Sequence, residues 1–130
     1  MRRAVCVFCG SRVGSPRDYR GLAAAAGRRL ALAGHRIVYG GGDVGLMGAV
    51  ADAAIAAGGD VTGFIPERLL EREVGHRGIA DLTVTPDMFE RKRLMIASSE
   101  AFLALPGGLG TIDEILDVVT LKQLGYHDHP

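Results

Sequence analysis

Tryptophan is absent from this 130-residue sequence, and aromatic residues make up only 5% of it. Such a chain has little with which to build a stacking platform for single-stranded nucleic acid. An excess of charge is also missing, because 15 lysine and arginine residues are balanced by 15 aspartate and glutamate residues. A balanced charge argues against partners held mainly by electrostatic attraction. We therefore expect neither nucleic acid nor a membrane as partner.

Long apolar segments and a cysteine framework are absent as well. The apolar run at 4–9 is shorter than the core of a signal peptide, and no stretch approaches the roughly 18 uncharged apolar residues of a membrane span. The two cysteines, Cys6 and Cys9, lie in one strand-like run that resembles no disulfide framework. A single pair of this kind also lacks the ligands for zinc. The simplest interpretation is a reduced, cytoplasmic protein without a metal site.

Glycine, in contrast, is abundant, with 19 residues against about 9 at average usage. The length fits a single domain, 1–130. Short apolar runs predict strands at 4–8, 36–39, 61–65, 82–85 and 101–105. Amphipathic stretches and capping residues predict helices at 15–33, with Ser15 as N-cap, and at 45–57, 67–73, 87–98 and 112–124.

The predicted strands lack alternation of apolar and polar residues, which indicates that both of their faces are buried. Buried strands that alternate with helices predict a doubly wound α/β fold, with a parallel sheet and helices on both of its faces. Ligands of such sheets bind beyond the carboxyl ends of the strands, at the switch point. The loops at that edge are therefore the place to look for chemistry.

One glycine loop, GGGDVGLMG at 40–48, joins a predicted strand to a predicted helix. It matches GxGxxG, whose glycines let backbone N–H groups approach an anion beside a helix N-terminus. A dinucleotide site is a weak interpretation. The loop follows the second strand, and Asp60, the acid about 20 residues on, would begin a strand and not end one. A tight turn without a ligand is the alternative.

A second glycine loop, PGGLGTIDE at 106–114, also joins a strand to a helix. Thr111 and Glu114 have the spacing of a capping box, which predicts Thr111 as the N-cap. The three glycines exceed what capping needs. Two such loops would place two positive helix ends at one edge of the sheet, which suits a phosphate group. Neither loop has the pattern of an NTPase P-loop.

A third segment, MFERKRLM at 88–95, mixes apolar and basic residues. On a helical wheel Lys92 lies near the middle of the apolar arc, and Arg91 lies on its flank. A cation on an inward-facing stripe is costly unless an anion meets it. The alternative is snorkelling, in which the stem packs and the head reaches water.

Taken together, these motifs resemble the LOG (Lonely Guy) family of cytokinin riboside 5′-monophosphate phosphoribohydrolases, also labelled lysine decarboxylases. The resemblance spans the chain from residue 5 to its end. It implies a modified Rossmann fold, of which this sequence has a C-terminal part that is short relative to the family. The motifs that carry it are GGGxxGLMG at 40–48, Arg91-Lys92 with Met95, PGGxGTxxE at 106–114, and Cys9-Gly10-Ser11.

The resemblance implies that the protein hydrolyses the N-glycosidic bond of an (N6-modified) adenosine 5′-monophosphate. The products would be the free base and ribose 5-phosphate. By motif position the catalytic pair is Arg91 and Glu114. No cofactor and no metal are implied. The expected partners are the nucleotide and a second copy of the chain, in a homodimer or larger homo-oligomer. The implied substrate-binding residues are Ser11, Gly41, Gly42, Lys92, Gly107, Gly108, Gly110 and Thr111.

The chemistry of the residues fits this reaction. Departure of the base builds positive charge at C1′. Glu114, expected in the first turn of a helix, would stay ionised and would stabilise that charge or activate water. Arg91 cannot give up its proton, so its role would be positioning and charge. Asp113, Asp117 and bulk solvent remain alternatives for a general acid.

Two other functions compete with hydrolysis. The first is a nucleotide- or cofactor-binding carrier that uses the same loops without turnover. The second is amino-acid decarboxylation, which is less favoured because neither lysine of the chain, Lys92 or Lys122, lies in a persuasive setting for pyridoxal phosphate.

The last predicted helix offers a surface for contact with a second subunit. Its sheet-facing stripe is predicted as Ile112, Ile115 and Val119, which would leave Leu121 and Leu124 exposed for a subunit contact.

Overall fold

The computed structural model describes residues 2–10, 19–72 and 74–130. In these residues, strands alternate with helices. The strands are β1 (Ala4–Phe8), β2 (Arg36–Tyr39), β3 (Val61–Pro66), β4 (Asp81–Thr85) and β5 (Ala101–Ala104). The helices are α1 (Tyr19–Leu32), α2 (Gly45–Ala56), α3 (Met88–Ala97) and α4 (Leu109–Gln123), and a 3₁₀ turn covers Glu67–Leu69.

The strands form one parallel sheet in the order β4-β3-β2-β1-β5. β1 is the strand at which the direction of winding reverses, because β2 lies on one side of it and β5 on the other. In such a sheet the carboxyl ends of the two strands at the switch point leave a crevice for a ligand. The predicted doubly wound α/β fold is confirmed, and its crevice lies between β1 and β5.

Buried residues form two apolar clusters, to which successive strand residues contribute in turn. Val7 and Ile37 belong to the cluster that includes α1 and α2 side chains. Cys6 and Val38 belong to the cluster that includes Met95 of α3 and Val118 of α4. Because successive strand residues point to opposite faces, helices cover both faces of the sheet. This arrangement explains why β1 and β2 show no apolar–polar alternation, whereas the edge strand β4, with the sequence DLTVT, alternates and is largely exposed.

Several predicted boundaries change in the structure. The helix predicted at 67–73 is confined to the 3₁₀ turn, and α4 begins at Leu109, three residues before the predicted start at Ile112. The predicted N-cap Ser15 lies outside the described residues. α3 begins as predicted, because the carboxylate of Asp87 accepts a hydrogen bond of 2.8 Å from the backbone N–H of Glu90. None of the described helices has the length and apolar content to cross a membrane.

The predicted sheet-facing stripe of α4 is correct for Ile115, which packs against the apolar cluster of Met95 and Val118, and wrong for its other two residues. Ile112 and Val119 are 53% and 56% exposed, whereas Thr111 and Val118 are buried. Leu124 is exposed as predicted, and Leu121 is partly buried. The prediction turned the most apolar stripe toward the sheet, but the helix turns its mixed face, with Thr111 and Glu114, toward the cavity described below. The stripe left exposed is Leu109, Ile112, Leu116 and Val119.

Candidate active site

A cavity of about 570 Å³ lies beyond the carboxyl ends of β1 and β5, where the topology leaves its crevice. This volume falls within the range of small-molecule sites. Both glycine loops border it, as do the two residues expected to be catalytic, Arg91 and Glu114. Its lining is Val7, Phe8, Cys9, Gly10, Tyr19, Gly40, Leu46, Met47, Met88, Arg91, Met95, Pro106, Gly107, Gly108, Gly110, Thr111 and Glu114.

Of the three consecutive glycines of the first loop, Gly40 lines the cavity, whereas Gly41 and Gly42 contact the segment 74–76. The Gly41 carbonyl accepts a hydrogen bond of 3.0 Å from the His76 N–H, and Gly42 forms an antiparallel bridge with Gly75. Gly41 has φ +76°, a conformation that favours glycine. The Tyr39 hydroxyl, whose pKa is raised by burial, donates to the Gly42 carbonyl at 2.9 Å. Gly41 and Gly42 are therefore held by hydrogen bonds to residues that are not among the described residues lining the cavity.

The second glycine loop meets the cavity along its length. Gly107, Gly108, Gly110 and Thr111 all line it. The space that a Cβ would occupy at Gly108 or Gly110 is open, so a ligand can approach the backbone there. At Gly107 a Cβ would overlap the Thr111 hydroxyl, which explains the glycine at that position.

The predicted capping box is wrong. The N-cap of α4 is Gly108, and Thr111 lies inside the first turn. The N-cap of α2 is Val44, so neither of the two helices that follow the glycine loops has a side-chain acceptor at its N-cap. Such helix ends leave backbone N–H groups available to an anion.

Arg91 is the buried cation of the site, with 4% of its surface exposed. Its Nε donates to the Phe64 carbonyl of β3 at 3.0 Å, and its Nη2 donates to the Gly40 carbonyl. Met88 and Met95, three residues before and four after it on α3, line the cavity beside it. The wheel prediction is therefore wrong in detail, because Arg91 and not Lys92 occupies the inward face.

Glu114 lies in the second turn of α4, not in the first turn as expected, and is partly buried at the cavity wall. Burial raises the pKa of the Cys6 thiol in β1, and the negative charge of Glu114 adds to that rise. Glu114 and the last residues of β1, Val7 and Phe8, line the same cavity. Cys9 also lines the cavity, and both cysteines are buried thiols.

Lys92, expected to bind substrate, forms ion pairs between α3 and α4. Its Nζ lies 2.8 Å from Asp117 and 2.9 Å from Asp113, and it sits 5.6 Å from the centre of the Phe89 ring. Hydrogen bonds to Asp117 and Asp113 raise its pKa. None of these four residues is among the described residues that line the cavity. Ser11, the remaining expected binding residue, lies outside the described residues.

One group of described side chains has the composition of a metal site: Asp43, Asp52 and His76. The backbone N–H of Gly78 donates to His76 Nδ1 at 2.9 Å, so the ring proton is assigned to Nε2, which lies 2.6 Å from Asp52 and 3.4 Å from Asp43. A nitrogen that carries this proton is a donor to carboxylates and not a metal ligand. The geometry therefore fits a hydrogen-bonded brace.

Sequence reasoning missed the apolar lining of the site, above all the methionines. Met88, Arg91 and Met95 have i, i+3 and i+7 spacing, which places them on one helical face. That pattern was present in the sequence and identifies the inward face of α3. Met47 contributes from α2, and Tyr19, at the start of α1, carries no motif that would have indicated it.

A parallel sheet that holds a ligand-sized cavity at its switch point, between two glycine loops that begin helices, defines a Rossmann-like α/β domain. The family model described as "Possible lysine decarboxylase" matches residues 47–130. The chain belongs to this family, the LOG family, and the resemblance inferred from the motifs is confirmed.

Curated relatives carry a more specific name. The chain is 44% identical over 128 residues to a probable cytokinin riboside 5′-monophosphate phosphoribohydrolase, LOGL6, of Oryza sativa subsp. japonica, covering 98% of this chain and 51% of the relative. It is 46% identical to the cytokinin riboside 5′-monophosphate phosphoribohydrolase of Rhodococcoides fascians, covering 98% of this chain and 65% of the relative. The chain thus spans between half and two thirds of these relatives.

Solved structures share the fold. The Moco carrier protein from Chlamydomonas reinhardtii superposes with a TM-score of 0.79 at 21% identity, covering 94% of this chain and 73% of that one. The molybdenum cofactor binding protein from Rippkaea orientalis gives the same TM-score at 24% identity, covering 95% and 73%. Likeness at this identity concerns the fold alone.

Proposed function

We propose that this protein hydrolyses the N-glycosidic bond of an N6-modified adenosine 5′-monophosphate, releasing the free base and ribose 5-phosphate. The names of the curated relatives support this reaction. The observation that carries the proposal is the convergence of Arg91, Glu114 and both glycine loops on one cavity. Residues that are distant in sequence meet there at the edge of the sheet where the topology favours a ligand.

The 5′-phosphate is assigned to the α4 end of the cavity. There the N-cap of α4 is Gly108, which supplies no side-chain cap, and the open space at Gly108 and Gly110 admits an anion close to the backbone. The positive end of the helix dipole favours a phosphate at this place. Binding energy from this remote group would orient the sugar for reaction.

The base is assigned to the methionine-rich side, formed by Met47, Met88 and Met95. Flexible thioether side chains adapt to apolar groups of varied shape. Glu114 is assigned to C1′, where a carboxylate stabilises the developing positive charge or accepts a proton from water. Arg91 contributes charge and position, since it stays protonated.

The ion pairs of Lys92 bear on which group supplies the proton to the departing base. Asp113 and Asp117 are held by Lys92 away from the cavity lining. We therefore favour proton supply by solvent. Lys92 itself is proposed to brace α3 against α4.

Decarboxylation on pyridoxal phosphate does not fit the lysines present. Lys92 is paired with two carboxylates that raise its pKa, and Lys122 Nζ donates to the His129 carbonyl at 3.0 Å. A Schiff-base lysine needs an amine that can lose its proton. Neither lysine is among the described lining residues.

The test is incubation of the protein with AMP and with N6-prenylated AMP, followed by chromatography for free base. Release of base and ribose 5-phosphate in equal amounts is expected. Adenosine, which lacks the phosphate, serves as the control and should react more slowly. Tight nucleotide binding without base release would contradict the proposal and support a carrier.

A homodimer is the proposed assembly. The exposed stripe of α4, Leu109, Ile112, Leu116 and Val119, has spacings of three, four and three residues, the pattern of a helix-packing seam. The stripe starts at the cavity, because Leu109 lies between two lining glycines, Gly108 and Gly110. A second copy on this surface would cover apolar area that water otherwise meets.

A further inference from the structure

We propose that Gly40 is a positioning residue whose missing side chain forms the seat of the Arg91 guanidinium. The first glycine of the loop would then serve the cation of the site and not a phosphate. The consequence for catalysis rests on the proposed function, whereas the seat itself is a statement about packing that can be tested separately.

The geometry at Gly40 requires space and not an unusual backbone. Gly40 has no positive φ, unlike its neighbour Gly41. A Cβ placed on Gly40 would overlap Arg91 Nη2, lie 2.9 Å from Arg91 Cζ and lie 3.1 Å from Met47 Sδ. Alanine would therefore be acceptable to the backbone but would collide with the guanidinium.

The guanidinium has little freedom to avoid that collision. Its Nε is bonded to the Phe64 carbonyl of β3 and its Nη2 to the Gly40 carbonyl at the end of β2. The planar group is rigid, and only 4% of Arg91 is exposed. A methyl group at position 40 must break at least one of these two hydrogen bonds and push the charged group away from its site beside the cavity.

Stability provides the first test, through a cycle of Gly40→Ala, Arg91→Ala and the double variant. If the methyl group is harmful because it meets Arg91, removal of Arg91 relieves the clash. The double variant should then be no less stable than Gly40→Ala, so that the two losses in melting temperature do not add. Should Gly40→Ala fail to fold alone, recovery of folding in the double variant supports the proposal. A double variant that also fails overturns it.

The position of the guanidinium provides the second test. Buried and bonded to Phe64, the Arg91 Nε–H should give a protected signal in nitrogen-edited NMR, identified by its loss in Arg91→Ala. We expect Gly40→Ala to shift this signal and expose it to solvent exchange. Gly48→Ala is the matched control, because the three atoms nearest to its Cβ would all belong to the backbone of Asp43 in the same loop and not to Arg91. An unchanged signal in Gly40→Ala overturns the proposal.

Activity provides the third test. Gly40→Ala should lower kcat/KM for the nucleotide at least tenfold, and the same change in the Arg91→Ala background should alter it by less than about twofold. Losses that multiply would overturn the proposal, whereas those of Gly48→Ala and Arg91→Ala should multiply. A wild-type protein that releases no base contradicts the proposed function. The stability and NMR tests would then still show whether Gly40 leaves the space that the Arg91 guanidinium occupies.

Discussion

Glu114 is the residue whose replacement most directly tests the chemistry. Glu114→Gln keeps the size of the side chain but removes its charge, so the cavity and the nucleotide affinity should change little. Base release should fall by roughly 100-fold or more, the usual scale for loss of a general base or charge stabiliser. Isothermal titration with AMP and chromatographic assay of base separate the two effects.

The matched control for Glu114→Gln is Asp117→Asn, which neutralises a carboxylate on the same helix that faces Lys92. This control should keep most of the activity. Equal losses in both variants would show that the charge of α4, and not the carboxylate at the cavity, matters.

Lys92 belongs to the residue scale as well. Lys92→Ala should lower the free energy of unfolding by about 1 kcal/mol or less, because both partner carboxylates are substantially exposed. Since the pKa of Lys92 is raised, its contribution is present at neutral pH and is lost as the pH rises through that raised value. KM should stay within about threefold of wild type. A large rise in KM would restore Lys92 as a substrate ligand.

At the scale of elements, α3 matters because it carries Arg91. Asp87→Ala removes the N-cap hydrogen bond to Glu90 and should cost about 1 kcal/mol of stability. Urea unfolding measures this loss. Asp128→Ala, which removes an exposed carboxylate outside any helix, is the control and should have little effect.

The segment 74–78 is a second element to which a structural role can be assigned, because its histidine contacts two other segments. His76 is 5% exposed and joins this segment to the first glycine loop and to α2 through Asp43 and Asp52. His76→Ala should lower the free energy of unfolding by about 1–3 kcal/mol, because the buried ring loses its hydrogen bonds to the Asp52 carboxylate and to the Gly78 N–H. Zinc should not raise the melting temperature of the wild type. A zinc-dependent increase, absent in His76→Ala, would show a metal site instead of a brace.

At the scale of the whole molecule, the exposed stripe of α4 predicts association. Leu116→Glu should convert a dimer into a monomer in light scattering at micromolar concentration, because it places a charge in an apolar contact. Leu32→Glu, at a comparably exposed leucine of α1, is the control. A wild-type monomer, or a dimer that both variants keep, would contradict the proposed contact surface.

Periodicity and glycine spacing were enough to predict the parallel α/β fold, because buried strands and capped helices have local signatures. They also predicted that both glycine loops would meet at one edge, since the carboxyl ends of parallel strands share that edge. The orientation of the helices was less accessible. The helical wheel placed Lys92 inward on α3 and Ile112 inward on α4, because it considers hydrophobicity alone. In the structure, the polar residues Arg91 and Glu114 face inward because they line a cavity.

The sequence by itself determined the order of elements and the glycine loops, because each depends on local pattern and chain order, whereas Arg91 and Glu114 were implied by the resemblance of the motifs to the LOG family. Only the tertiary structure decided which face each helix presents and which glycine borders the cavity. Those choices depend on contacts such as Arg91 with the carbonyls of Gly40 and Phe64, which join three segments that are distant along the chain. A pattern among neighbouring residues in the sequence cannot predict such long-range contacts.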